Sequence, residues 1–209
     1  MKKLINYFKS LAVWFIRFRH RCGYGVHSPF AYNLITEVIY EKGFYYAYED
    51  LLQKGKSLPC IEQKKISYNL KINRLLFRLA NYVHPMQIVI IGKDLSDSIA
   101  YLQAGSIYAK VHYLEDRNLF EETFHKIPNI GLLYLKSIDF DQDIFEKVSS
   151  KITEKSLLII EGIHQTKEKK GYWKKLIKDS RCGITFDLYD MGLIFFDLSK
   201  NKQHYIVNF

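Results

Sequence analysis

Four short apolar runs, separated by polar stretches long enough to form helices, constrain the fold of this chain more than any other feature. The runs lie at about 87–92, 110–115, 131–135 and 156–161. Each is rich in Ile, Leu and Val with little polar alternation, which is typical of strands buried on both faces. Strands that alternate with helices predict an α/β fold with a mostly parallel sheet covered by helices on both sides.

The segment from Ile184 to Phe209 follows a different pattern. It holds three β-rich runs, and only the short link Asp190-Met191-Gly192 joins the first two. Parallel neighbours need a long crossover, so this link predicts a C-terminal antiparallel hairpin.

The first 85 residues are predicted to be helical and to extend the α/β domain of residues 86–209. Ser28 as N-cap and Pro29 at the first helical position predict a helix through FAYNLITEVI. Residues 43–66 are interpreted as a mobile connector, and a further helix is predicted from about Ser67 to Val83. An earlier amphipathic helix is indicated by apolar residues at three- and four-residue steps, namely Leu4, Phe8, Leu11, Phe15 and Phe18.

The positive charge is concentrated in this N-terminal region. The net charge is +9, from 31 Lys and Arg against 22 Asp and Glu, and residues 1–85 hold 14 of the basic and 5 of the acidic residues. This distribution allows an anionic partner such as RNA or a membrane surface, although an AT-rich genome would also favour lysine. No transmembrane segment is expected, because the first apolar run is interrupted by Lys9, ends at Arg17 and Arg19, and is too short and too charged to span a bilayer. The three cysteines are odd in number and share no C-x-x-C spacing, which favours a reducing cytoplasm. A membrane-peripheral location is the alternative.

The turn after the first strand is a candidate ligand site. In an open α/β sheet, ligands bind at the carboxyl ends of the strands. Gly92 would form the turn, and Asp94 and Asp97 follow it, although aspartates there also suit the start of a helix. Glu115 ends the second strand, where a carboxylate accepts hydrogen bonds from both ribose hydroxyls of a nucleoside.

Several motifs together resemble the class I S-adenosylmethionine-dependent methyltransferases, and among them a group of small bacterial proteins common in Bacteroidetes. The motifs are GVHSPF at 25–30, LLFRLANYVHP at 75–85, IVIIG at 88–92, VHYLED at 111–116, IIEGIH at 159–164 and FDLYDMGLIFF at 186–196. The resemblance implies a Rossmann-like methyltransferase fold, S-adenosylmethionine as the cofactor and a small-molecule methyl acceptor. It also implies that Gly92, Asp94, Asp97 and Glu115 hold the cofactor.

The chain departs from this family pattern at three positions. Ile90 stands where relatives carry a carboxylate, Ser96 stands at a later glycine, and Lys136 stands where relatives have an acid near the reacting centre. A lysine ammonium would repel a cationic sulfonium. The catalytic hypothesis therefore has an alternative, a binding or structural module that kept the fold and lost the cofactor.

Three residues are candidates for catalysis. Glu161 and His164 would act as an orienting carboxylate and a base, since histidine titrates near neutral pH. His27, in the GVHSPF turn, would belong to a lid over the pocket. No metal site is expected, because one His with one Glu is a weak ligand set, and a loop with His20, Cys22 and His27 lacks a fourth ligand.

Overall fold

In the computed structural model, a seven-stranded sheet organises the part of the chain that the structure describes. The structure describes residues 15–20, 22–54, 63–93, 95–115, 124–136 and 142–209. The strands are β1 (Gln87–Gly92), β2 (Lys110–Leu114), β3 (Ile130–Lys136), β4 (Ile152–Glu161), β5 (Thr185–Asp187), β6 (Met191–Phe195) and β7 (His204–Ile206). Their order across the sheet is β2-β1-β3-β4-β6-β5-β7.

Of these seven described strands, only β6 runs against its neighbours. It pairs antiparallel with both β4 and β5, whereas the other neighbouring strands, including β5 and β7, are parallel. The predicted mostly parallel sheet and the antiparallel hairpin of β5 and β6 are therefore confirmed. Because β6 runs antiparallel to β4 and β5, the short turn that joins β5 to β6 lies at the same edge as the carboxyl ends of the parallel strands. This turn spans residues 188–190 rather than the predicted link at 190–192, because Met191 and Gly192 belong to β6.

The helices lie on both faces of the sheet. They are α1 (Pro29–Asn33), which continues as a π-helix (Leu34–Ile39), α2 (Ala47–Lys54), α3 (Gln63–Val83), α4 (Ser96–Gly105), α5 (Gln142–Ser149) and α6 (Lys167–Lys178). A 3₁₀ turn at Phe18–His20 precedes them. The N-cap prediction is confirmed, since Ser28 Oγ accepts a hydrogen bond from Ala31 N at 3.4 Å and Pro29 is the first helical residue.

Two apolar cores cover the two faces because successive strand residues point to opposite sides. Ile88 and Ile90 of β1 pack in the core that includes α1, the π-helix, α3 and α4. Val89 and Ile91 pack in the core that includes α5 and α6. This explains the unbroken apolar run of β1, whose residues from Ile88 to Ile91 are all buried.

The interpretation of residues 43–66 as a connector is wrong in part. Ala47–Lys54 forms α2, and α3 begins at Gln63 rather than near Ser67. Tyr48 explains the ordered segment, because its ring is 2% exposed and lies 5.1 Å from the Phe77 ring centroid. Tertiary packing of one aromatic residue thus outweighs the polar composition around it.

Much of the predicted first amphipathic helix, from Leu4 to Leu11, lies outside the described residues. The division into residues 1–85 and 86–209 stays a prediction. Among the described residues, no helix is both long enough and apolar enough to cross a membrane.

Candidate functional site

The carboxyl ends of the parallel strands form a row of residues on one edge of the sheet. Gly92 of β1 pairs with Lys136 of β3. Ile91 of β1 pairs with Leu114 of β2, so the next residues along the two chains, Gly92 and Glu115, lie beside each other. On the other side, the pair of Leu135 with Ile160 sets Glu161 beside Lys136.

Gly92 is required by its backbone surroundings. Its φ of 148° is unfavourable for residues with a side chain, and a Cβ there would overlap the carbonyl oxygen of Lys136. The glycine therefore allows β1 and β3 to approach closely where β1 ends, which is a structural need whether or not a ligand binds above it.

The other predicted cofactor residues lie around this turn. Glu115 is exposed directly after β2, and Asp97 is exposed in the first turn of α4. There its charge favours the positive end of the helix. Asp94 lies outside the described residues. The position in β1 where an acid was expected is the buried, apolar Ile90, and Lys136 is half-buried in the middle of the row.

The predicted catalytic residues have different partners from those expected. Glu161 Oε2 accepts a hydrogen bond from the hydroxyl of Tyr134 at 2.5 Å. His164 instead bonds to Asp187, with 2.7 Å between Nε2 and Oδ2. His27 is exposed in the turn before α1. The structure therefore brings His164 together with Asp187 and gives Glu161 a separate role on the neighbouring strand.

Asp187 is the centre of a buried cluster. Arg17 donates to Asp187 Oδ1 at 2.8 Å and to the Asp187 carbonyl oxygen at 3.1 Å. The amide of Tyr189 also donates to Oδ1, at 2.9 Å. Burial would raise the pKa of Asp187, but the hydrogen bond from His164 and the positive charge of Arg17 outweigh it and lower the pKa to about 2. Asp187 is therefore a carboxylate at neutral pH.

This carboxylate fixes the histidine. Because an ionised Asp187 only accepts, the proton of the 2.7 Å bond is assigned to His164 Nε2, and Nδ1 is the ring nitrogen that this bond does not use. The Arg17 nitrogen at 3.5 Å from Nε2 is too distant to reverse this assignment. The Tyr189 ring stacks on the His164 imidazole, with 5.3 Å between the ring centroids and an interplanar angle of 20°. The result is an oriented imidazole that can accept a proton at Nδ1.

Sequence reasoning did not select Arg17, Asp187 or Tyr189 as site residues. Asp187 and Tyr189 belong to FDLYDMG, a segment that marked the resemblance, and this was the available signal for them. Arg17 is separated from Asp187 by 170 positions, and nothing local to it indicates the contact. Among the residues that the structure describes, no group of three or more His, Cys, Asp or Glu side chains could hold a metal ion.

Comparison with solved structures identifies the fold. An SAH-bound methyltransferase of Podospora anserina, PaMTH1, matches 81% of this chain and 96% of its own, with a TM-score of 0.52 and 12% identity. The chain has a Rossmann-like methyltransferase fold. A methyltransferase from Geobacter sulfurreducens matches 74% of this chain and 99% of its own, with a TM-score of 0.49 and 16% identity. An SAH-bound O-methyltransferase from Bacillus cereus matches 74% and 92%, with a TM-score of 0.47 and 12% identity.

Sequence comparisons add no closer relative. No model of a protein family matches the chain, and no curated protein is similar to it in sequence.

Proposed function

We propose that this protein transfers a methyl group from S-adenosylmethionine to a hydroxyl group of a small molecule, with His164 as the base. The observation that carries the proposal is the 2.7 Å bond from His164 to the ionised Asp187, at the edge where the parallel strands end. Proton acceptors of this kind contribute about 10²–10⁴-fold to a rate when they reach the reacting proton.

The residues at the strand ends fit the nucleoside end of the cofactor. Glu115 supplies exposed carboxylate oxygens next to the Gly92 turn, and Asp97 adds a second acid from α4. Glu115 would hold the ribose, and the Gly92–Asp97 segment would lie under the methionine end. When bound, S-adenosylmethionine supplies an electrophilic methyl group on a sulfonium.

The protein's own residues would then align and deprotonate the acceptor. His164 would take the hydroxyl proton at Nδ1, and Asp187 would stabilise the resulting imidazolium through Nε2. Arg17 would keep Asp187 ionised throughout. His27 and Glu161 would contact the acceptor from either side, as a lid residue and as a hydrogen-bond acceptor that Tyr134 orients.

A second candidate function has its own support. The ammonium of the half-buried Lys136 would repel the cationic centre of the cofactor. The buried Ile90 cannot hold the cofactor's ammonium group as a carboxylate would. A module that kept the fold and lost the cofactor would tolerate both residues. Binding to RNA or to an anionic membrane surface through residues 1–85, and a cytoplasmic location, stay predictions from the charge of that region.

Calorimetry with S-adenosylmethionine tests the proposal. A dissociation constant below about 1 mM, or about 4 kcal/mol of binding, supports a cofactor site, and weaker binding supports the lost-cofactor module. Glu115→Gln should weaken binding about tenfold, because the neutral amide is a weaker acceptor for ribose hydroxyls. Glu154→Gln is the matched control, since Glu154 is exposed near the opposite end of β4.

Methyl transfer from radiolabelled S-adenosylmethionine to catechol and caffeate then tests the base. His164→Asn should lower the transfer rate at least 100-fold without changing the cofactor's dissociation constant. An unchanged rate in His164→Asn would refute its role as the base while leaving cofactor binding intact.

A further inference from the structure

A cavity of about 640 Å³ lies between the end of the π-helix, α3 and the C-terminal residues. Pockets of this size hold small organic molecules. Its lining shares no residue with the strand-end row or with the Arg17, Asp187 and His164 cluster. The lining residues that carry the argument are Lys42, Tyr48, Lys71, Arg74, Arg78 and Phe209.

The cavity is strongly positive. Lys71, Arg74 and Arg78 follow one face of α3 at three- and four-residue steps, and Lys42 faces them from the loop after the π-helix. Glu41 is the one acidic side chain among the described lining residues, and its Oε1 accepts a hydrogen bond from the Gly43 amide. In the part of the chain that the structure describes, none of the four cations forms an ion pair within 4.0 Å.

One of these cations has a clear structural task. Arg78 is 8% exposed and donates to the carbonyl oxygens of Val38 at 2.6 Å and Ile39 at 3.2 Å. These carbonyls belong to the last turn of the π-helix, which would otherwise leave them without partners. Arg78 therefore joins the π-helix to α3, and it also contributes a positive charge that no described carboxylate neutralises.

Lys71 and Arg74 have no comparable structural task. Arg74 Nε is buried without a hydrogen-bond partner among the described residues, and the guanidinium lies 5.0 Å from the centroid of the Tyr48 ring. Lys71 Nζ lies 3.9 Å from the centroid of the Phe209 ring. Partial desolvation lowers the pKa of Lys71, Asp190 opposes this shift, and the positive charge of Arg78 adds to it. An anion in the cavity would satisfy the free donor and relieve the crowding of like charges.

We propose that this cavity binds a small phosphomonoester with a flat apolar body. A phosphomonoester carries nearly two negative charges and three acceptor oxygens, so it matches several cations better than a carboxylate does. The half-buried ring of Phe209 provides an apolar wall for the remainder of the ligand. This inference does not depend on methyl transfer, because it concerns other residues and requires no S-adenosylmethionine.

Calorimetry with the full chain and phenyl phosphate, in the absence of S-adenosylmethionine and at low salt, tests the proposal. Wild-type protein should bind phenyl phosphate at least tenfold more tightly than benzoate. The double variant Lys71→Met/Arg74→Met should lose at least tenfold in affinity for phenyl phosphate. Arg78 is left intact because its removal would disturb the π-helix, and a thermal melt of the double variant confirms that it folds.

The matched control is Lys155→Met/Lys174→Met, which removes the same charge from two exposed positions outside the cavity. This control should bind phenyl phosphate as the wild type does. An equal loss in both double variants would overturn the proposal, because it would show attraction to net charge alone. Equal affinities for phenyl phosphate and benzoate, or no binding at 10 mM, would also overturn it. Tighter binding of a single-stranded RNA oligonucleotide through Lys71 and Arg74, without binding of phenyl phosphate, would replace the small molecule by a nucleic acid.

Discussion

Lys136 offers a direct test of whether the edge of the sheet where the parallel strands end is suited to a cation. It is half-buried and paired with Gly92, beneath the expected position of the cofactor. S-adenosylmethionine carries a positive sulfonium, whereas S-adenosylhomocysteine is a neutral thioether of similar shape. Lys136→Met removes the ammonium and keeps the apolar stem, so the ratio of the two dissociation constants isolates the charge of residue 136.

The size of the effect follows from the sheet geometry. Neighbouring strands lie about 4.8 Å apart, and a lysine side chain beside the Gly92 turn would hold its ammonium about 7 Å from a sulfonium above that turn. At an effective dielectric of about 20, Coulomb's law gives a repulsion of about 2.4 kcal/mol. Partial exposure of Lys136 reduces this to about 1 kcal/mol. Lys136→Met should therefore shift the affinity ratio about fivefold in favour of S-adenosylmethionine.

Isothermal titration of both ligands at low salt measures this ratio. Lys155→Met is the control, since it removes an exposed lysine near the opposite end of β4 and should leave the ratio unchanged. If both ligands bind and the ratio is the same in wild type and Lys136→Met, the electrostatic reasoning is refuted. An equal shift in Lys155→Met would attribute the effect to net charge rather than to this edge of the sheet.

Three further predictions concern stability, each measured by urea denaturation. Gly92→Ala should lower the free energy of unfolding by about 3 kcal/mol or more, because the new Cβ would overlap the backbone of Lys136. Gly171→Ala, in open space within α6, should raise the free energy of unfolding by about 0.5–1 kcal/mol, and equal effects of the two variants would contradict this reasoning. The pKa of Asp187 is lowered to about 2, so its contribution to the free energy of unfolding is present above about pH 4 and should fall by about 2 kcal/mol as the pH decreases from 4 to 2. Asp187→Asn should lower the free energy of unfolding by about 3 kcal/mol at pH 7, because it leaves Arg17 buried without a counter-charge. The same variant should flatten the pH dependence, and an unchanged slope would count against the pairing. Arg78→Met should lower the free energy of unfolding by about 2–4 kcal/mol, because two carbonyls lose their donor. Arg181→Met breaks more exposed bonds to Glu146 and Asp179 and should lower it by about 1 kcal/mol or less. A larger loss for Arg181→Met would refute this ranking.

The sheet could be predicted from the sequence because its information is local. Each of the first four strands is an apolar run bounded by turn residues, and all four were placed within a few residues of their observed bounds. The start of α1 was equally readable, since Ser28 and Pro29 act on their own helix. α2 was missed because Tyr48 is held by Phe77 and Tyr101, which are distant in sequence.

The candidate site could be predicted as an edge of the sheet but not as a set of bonded pairs. Parallel strands place their carboxyl ends together, so Gly92 and Glu115 were expected at one edge from the strand pattern, and Glu161 was selected through the resemblance. Which side chains bond there depends on the register and on the face of each residue.

Register explains why Glu161 and His164 have separate partners. Tyr134 of β3 pairs with Ile159, so Glu161, two residues further along β4, lies on the same face and within reach of the Tyr134 hydroxyl. The chain then turns at Gly162, whose φ is 78°, and His164 bonds to Asp187. Phe186 packs in the core on one face of the sheet, so the next residue, Asp187, points away from that core. A one-residue change in the register of β3 and β4 would remove the Tyr134 bond. The pairings are thus consequences of the assembled sheet, and no spacing within IIEGIH alone could have indicated them.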